Sequence, residues 1–139
     1  MSLAVSLACS SFARSLRFYT DVLGFTTMRF EPAQRWAELE RDGVTVELHE
    51  DTVAPLAPLE YPFGRGVMLL VWTSDADAIY SGVQAYGARL HRPLQEIWRE
   101  EDGSRVGHLA FEVIDPDGYA LRFSQALPPQ RGETLLPAT

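Results

Sequence analysis

Asp115-Pro116-Asp117-Gly118-Tyr119-Ala120-Leu121-Arg122-Phe123 decides the fold of this chain. Asp117-Gly118 signals a hairpin turn, because glycine accepts the positive φ that a tight turn demands. In the strand that follows, Leu121 and Phe123 point to one face, and Ala120 and Arg122 to the other. An earlier stretch reads the same way. Asp42-Gly43 is its turn, Val44, Val46 and Leu48 form one face, and Thr45, Glu47 and His49 form the other. Laying the second turn over the first puts Arg122 where Glu47 stands. The chain thus has two matching halves whose last strands differ by a reversal of charge.

Working outward, residues 3–9 alternate, with Val5, Leu7 and Cys9 on one face of a strand. Ser10 and Ser11 offer a helix N-cap. Phe12, Leu16, Tyr19 and Leu23 then follow one helical face, and Gly24 ends the helix. A strand over 25–30, a turn at Glu31–Gln34 and a hairpin of strands 36–41 and 44–49 complete a β-α-β-β-β unit. Residues 51–66, with Pro55, Pro58, Pro62 and two glycines, read as an irregular linker in which Tyr61 and Phe63 fold over a neighbouring surface. The second half repeats the order. It has a strand from Val67, a helix capped by Ser74 or Asp75 with Ile79 (or Tyr80), Val83 and Tyr86 inward, and Gly87 at its end. An extended stretch over 89–100 follows, with Pro93 at an edge or bulge, and then two further strands. Ser11 falls on Asp75, Gly24 within one residue of Gly87, and Gly43 on Gly118. The expected organisation is one domain over 1–127, made of module one (3–50), the linker (51–66) and module two (67–127), with a loose tail over 128–139.

At 139 residues, 46% hydrophobic and 22% charged, the chain suits a single folded domain. Its net charge of −7 argues against a nucleic-acid partner and is compatible with a cationic ligand. No apolar run reaches the length of a membrane span, and no secretory signal is visible, so a cytoplasmic location is the default expectation. Cys9 is the only cysteine, which rules out an intrachain disulfide and a thiolate cluster and reads as a buried core thiol.

Ser15-Leu16-Arg17-Phe18-Tyr19-Thr20-Asp21-Val22-Leu23-Gly24-Phe25 resembles the first-helix signature of the vicinal oxygen chelate superfamily, and Asp115-Pro116-Asp117-Gly118 resembles its last turn. That superfamily groups glyoxalase I, extradiol dioxygenases, fosfomycin-resistance enzymes and bleomycin-resistance proteins. The resemblance spans roughly residues 3–125. It implies an α+β fold in which two βαβββ modules form curled mixed sheets around an open cup. In the metalloenzymes of the superfamily four inward positions hold His, Glu or Gln ligands. Here the resemblance places those positions on Ala4, Glu47, Met68 and Arg122. Alanine has no donor, the methionine thioether is soft, and a guanidinium repels a metal ion. The expectation is therefore no metal and no other cofactor, with Glu47 and Arg122 forming an ion pair across the cup.

Strand parity also turns His108, Ala110 and Glu112 toward the cup. His49, His108 and Glu112 read as polar cavity lining in preference to a displaced metal site or an acid–base pair. Trp36 shares a face with Glu38, and Trp72 shares one with Met68 and Leu70. With Trp98 these rings are expected to give flat walls for a planar, cationic ligand, although Trp72 reads equally as dimer core. The stretches around Trp36–Leu39 and Val46–His49 resemble the bleomycin-resistance branch. That branch lacks metal and binds its drug between the subunits of a homodimer. The resemblance thus implies a small-molecule-binding homodimer that sequesters a bulky aromatic or cationic antibiotic. The alternatives are a glyoxalase- or dioxygenase-like lyase or isomerase, with a shifted metal site or a His/Glu general base, and an interaction domain whose cup is plugged by Tyr61 and Phe63.

Overall fold

The structure, a computed structural model, describes residues 3–50 and 59–131. The first half comprises β1 (Ala4–Ala8), α1 (Phe12–Arg17), β2 (Thr26–Glu31), β3 (Trp36–Arg41) and β4 (Val44–His49). The second comprises β5 (Met68–Trp72), α2 (Ala76–Tyr86), β6 (Arg89–Glu101), β7 (Ser104–Ile114) and β8 (Ala120–Ala126). Each half builds a mixed sheet in the same order, β1-β4-β3-β2 and β5-β8-β7-β6, with the first strand parallel to the last. The α+β fold of two βαβββ modules is therefore observed. The chain past Ala126 differs from the expected loose tail. Gln130–Arg131 forms a short strand, β9, along Ser104–Arg105. Residues 132–139 of that tail, and 51–58 of the linker, lie outside the described residues.

The alternation read from the sequence is what buries the core. Val46, Leu48, Leu121 and Phe123 are fully buried, while Glu47 and Arg122 stand on the opposite faces of their sheets. Ser11 caps α1 and accepts a bond from the Arg14 amide. After Arg17 the helix widens into a π-helical turn over Phe18–Val22. Phe18 and Tyr19 both face inward there and are fully buried. Asp75 occupies the N-cap position of α2 but makes no capping bond. The Gln125 side chain accepts from the Ala76 amide instead, and Asp75 pairs with Arg41 at 2.9 Å. The inner face of α2 is Ala76, Ile79 and Val83, while Tyr86 is half outside and meets Phe18 edge-on.

The organising turn is also where the halves join. Asp115 Oδ1 accepts from the Asp117 and Tyr119 amides, a local bond pattern that closes the turn around Gly118. Asp115 Oδ2 accepts from the Tyr19 hydroxyl at 2.8 Å, and Asp117 accepts from the Ser10 amide at 3.1 Å. The end of the linker straps over this turn. Phe63 packs edge-on against Tyr119, and its amide donates to the Asp117 carbonyl. The surface that Phe63 covers is thus this turn and not a cup.

Candidate functional site

Both modules repeat a detail finer than their strand order. In β2 the register against β3 slips between Thr27 and Arg29, leaving Met28 as the extra residue. In β6 it slips between Leu90 and Arg92, leaving His91 as the extra residue. After each bulge an arginine faces a glutamate of the third strand, at 3.5 Å in both cases: Arg29 with Glu38, and Arg92 with Glu112. The equivalent rows across the two sheets are Ser6, Glu47, Glu38, Arg29 and Leu70, Arg122, Glu112, Arg92. The exchange of Glu47 for Arg122 makes the first row net negative and the second net positive.

In the second row Glu112 is a hub. It is 3% exposed and accepts from Arg122 Nε at 2.9 Å. Its other oxygen is 2.8 Å from His91 Nδ1 and 3.5 Å from Arg92 Nε. Consecutive residues of a regular strand point to opposite faces, so His91 and Arg92 reach one carboxylate only because the bulge re-aims one of them. Pro93, which has no N–H for the ladder, lies in a second register shift just beyond. Burial alone would raise the Glu112 pKa. Bonds from His91 and Arg122, with the charges of Arg122 and Arg92, outweigh burial and hold it below the usual carboxylate range.

Two adjoining cavities open beside this hub. One, of about 400 Å³, is lined by Met68, His91, Arg92, Gln95, Glu112 and Arg122. The other, of about 330 Å³, is lined by Leu70, Trp72, Arg99 and Ser124 among others. Ile97, His108 and Arg122 line both, so the two form one groove with a charged end and an apolar end. Leu70, Trp72 and Ile97 are 53%, 58% and 42% exposed, a clustering of large apolar side chains at the open surface. His108 stands at the junction with its ring 5.7 Å from that of Trp72. Burial, then the charges of Arg122 and Arg99, lower its pKa and favour the neutral imidazole.

Of the residues singled out from the sequence, Met68, Trp72, His108, Glu112 and Arg122 meet on this face. Trp36, Glu38, Glu47 and His49 share a face of the other sheet, where Trp36 and His49 are paired in register and line a separate cavity with Glu31, Arg35 and Glu50. Trp98 belongs to neither face. It is paired with Gly107, on the side of the β6–β7 ribbon away from His108, and Arg105 lies 5.1 Å over its ring. The expected Glu47–Arg122 pair is also replaced. Arg122 pairs with Glu112 on the adjacent strand, and Glu47 accepts from the Ser6 hydroxyl at 2.6 Å. Nor does Glu112 offer an acidic wall to a cation, since its charge is already met by two arginines. His91, Arg92 and Ile97 were missed in the sequence, whereas Leu70 was read on the cup-facing side with Met68 and Trp72. Pro93 was the only hint of the bulge that recruits His91.

The four positions that the resemblance assigns to metal ligands do not suit a divalent ion here. Ala4 and Met68 supply no hard donor, and the Arg122 guanidinium occupies the place of a cation beside Glu112. Among the described residues no group of three or more His, Cys, Asp or Glu is placed to hold a metal. Cys9 is buried, and burial pushes its thiol up to about 12, as befits a core thiol.

Fold and site together define a two-module α+β protein with a ligand-sized groove on one sheet. The sequence pattern of the Glyoxalase/Bleomycin resistance protein/Dioxygenase superfamily matches residues 3–123, and the chain belongs to that superfamily. Among solved structures, TioX from Micromonospora sp. ML1 is similar over 91% of this chain and 99% of its own, at 25% identity and a TM-score of 0.68. A glyoxalase/bleomycin resistance protein/dioxygenase from Alicyclobacillus acidocaldarius is similar over 92% of both chains, at 18% identity and a TM-score of 0.64. Virulence protein STM3117 from Salmonella typhimurium is similar over 91% of this chain and 98% of its own, at 21% identity and a TM-score of 0.63. The last two show a shared fold alone. No curated protein matches the sequence. The match is to the superfamily as a whole and does not separate its branches. No helix among the described residues is long and apolar enough to cross a membrane.

Proposed function

We propose that this protein binds a bulky aromatic small molecule without a metal ion, in the manner of the bleomycin-resistance branch. The observation that carries the reading is the groove itself. Exposed Trp72, Leu70 and Ile97 lie beside a fixed cluster of charged groups, in cavities of about 400 and 330 Å³. Such a combination of apolar walls and a few oriented polar groups is what small-molecule sites require. Stacking on Trp72 and His108 supplies affinity for a planar ring, and no bond needs to be broken for sequestration. A homodimer is part of the reading. The cavities of the two sheets are lined by separate halves of the chain, and a second copy would cover exposed Trp72 and Leu70 while closing the groove.

The test is a titration of the purified protein with bleomycin and, separately, with polycyclic aromatic compounds, followed by tryptophan fluorescence. Metal is measured by mass spectrometry, and mass in solution by sedimentation, on the same sample. The expected result is saturable quenching at about one ligand per chain, insensitive to a chelator, abolished in Trp72→Ala, and seen in a dimer. Stoichiometric metal with no quenching by any compound would overturn the reading and turn the search to enzyme substrates.

A further inference from the structure

The groove has a charge that the molecule as a whole hides. The chain carries a net charge of −7, yet Arg92, Arg99 and Arg122 line the groove against the single carboxylate of Glu112. Arg99 is turned to Glu101, 3.0 Å away. Arg92 and Arg122 approach Glu112 through their Nε atoms, at 3.5 and 2.9 Å, and among the described residues their terminal Nη groups make no hydrogen bond. Glu112 is buried, with its side chain 4% exposed, whereas the side chains of Arg122 and Arg92 are 39% and 60% exposed. The carboxylate thus meets the near ends of two guanidiniums whose side chains remain partly exposed beside the cavity. One negative charge does not balance two positive ones, and an oxyanion matches the fork of an arginine in shape as well as charge. The equivalent row of the first sheet, Arg29, Glu38 and Glu47, has the opposite balance, so the feature is specific to the second sheet.

The geometry points to an aromatic oxyanion as the ligand class. Its apolar body lies on Trp72, Leu70 and Ile97, and its carboxylate, sulfonate or phosphate group is held by the Nη ends of Arg92 and Arg122. Glu112 is a positioning residue that orients both arginines and does not touch the ligand. This rests on the reading of the groove as a small-molecule site and adds to it the charge of the ligand.

Two dyes separate these claims: anilinonaphthalene sulfonate, an aromatic oxyanion, and phenylnaphthylamine, its uncharged counterpart. Both are titrated into the full chain and followed by dye fluorescence. Loss of one charge-assisted contact should weaken the sulfonate dye by about tenfold in Arg92→Gln and in Arg122→Gln, with the neutral dye unchanged. Added salt should weaken only the sulfonate. Arg105→Gln, on the far side of the ribbon, should alter neither, and Trp72→Ala should weaken both. If Arg122→Gln melts early because Glu112 loses a partner, Arg92→Gln and the charge-keeping Arg122→Lys decide the matter. Equal effects of the arginine changes on both dyes, or none on either, would overturn the oxyanion assignment while leaving an aromatic groove in place. That result would mean that the Nη ends are satisfied by protein, such as a carboxylate of a second copy. Dye binding indifferent to Trp72→Ala would remove the groove reading itself and the oxyanion assignment with it.

Discussion

Glu112 and Asp115 stand near the end of one strand and its turn, both nearly fully buried, and the fold treats their charges in opposite ways. Glu112 has cationic partners that keep it ionised. Its contribution to stability is present above the ordinary carboxylate pKa and is lost as the pH falls through its lowered value. Asp115 has only neutral donors, the Tyr19 hydroxyl and two amides, and burial pushes its pKa up to about 6 despite them. The folded chain therefore binds this proton more tightly than the unfolded chain does. Stability that Asp115 supplies in acid is lost as the pH rises from about 4, the unfolded value, to the folded value near 6. Asp115→Asn cannot titrate, so wild type should lose up to about 3 kcal/mol relative to this variant across that window and nothing further above it. Denaturant melts of the two proteins from pH 4 to 7 measure the difference directly. A constant gap would mean that Asp115 titrates at an ordinary carboxylate value.

At the scale of elements, β6 does the most to shape the site. It is 13 residues long, carries two register shifts, and turns successive side chains to different tasks. Ile97 floors the groove while the next residue, Trp98, lies on the other face over Gly107. A Cβ added at Gly107 would clash with the Trp98 ring, so Gly107→Ala must push the indole off the strand and off Arg105. The expected cost is about 1–3 kcal/mol, the range for overpacking, with a changed near-ultraviolet dichroism of tryptophan. Dye binding in the groove should persist, because Trp98 faces away from it. Loss of binding in a folded Gly107→Ala would place Trp98 back among the site residues. Trp98 also marks the limit of reading strands singly. The parity of Trp36 and Trp72 was legible because each lies in a short regular strand, whereas β6 shifts twice against its partner before Trp98 is reached.

On the scale of the molecule, the two halves are tied through polar contacts as well as a common core. The Tyr19 hydroxyl reaches Asp115 at 2.8 Å in a fully buried setting, Arg41 reaches Asp75, and Phe18 meets Tyr86. Tyr19→Phe leaves Asp115 Oδ2 without its donor and should cost about 1.5–3 kcal/mol, the range for a bond to a charged group. Combined with Asp115→Asn the losses should be far from additive, because both changes break one contact. Simple additivity in urea melts of the four proteins would mean that the contact does not couple the halves.

The sequence by itself determined the duplication, the strand order within each half, and which side chains share a face. These follow from local periodicity: a strand repeats every two residues, a helix about every 3.6, and a turn needs its glycine wherever it occurs. Arg122 in place of Glu47 and Cys9 as a core thiol were legible on the same ground, while the lack of metal donors at Ala4 and Met68 was read only through the family resemblance. Only the tertiary structure decided what those residues meet. His91 reaches Glu112 through a bulge that exists only in the pairing of β6 with β7. Arg122 turns to Glu112 because that carboxylate is on the neighbouring strand, while Glu47 belongs to the other sheet. The net charge of −7 is compatible with a cationic ligand, yet the groove is lined by three arginines and one glutamate. Charge balance in a site is set by distances between residues far apart in the chain, and composition carries no record of those distances.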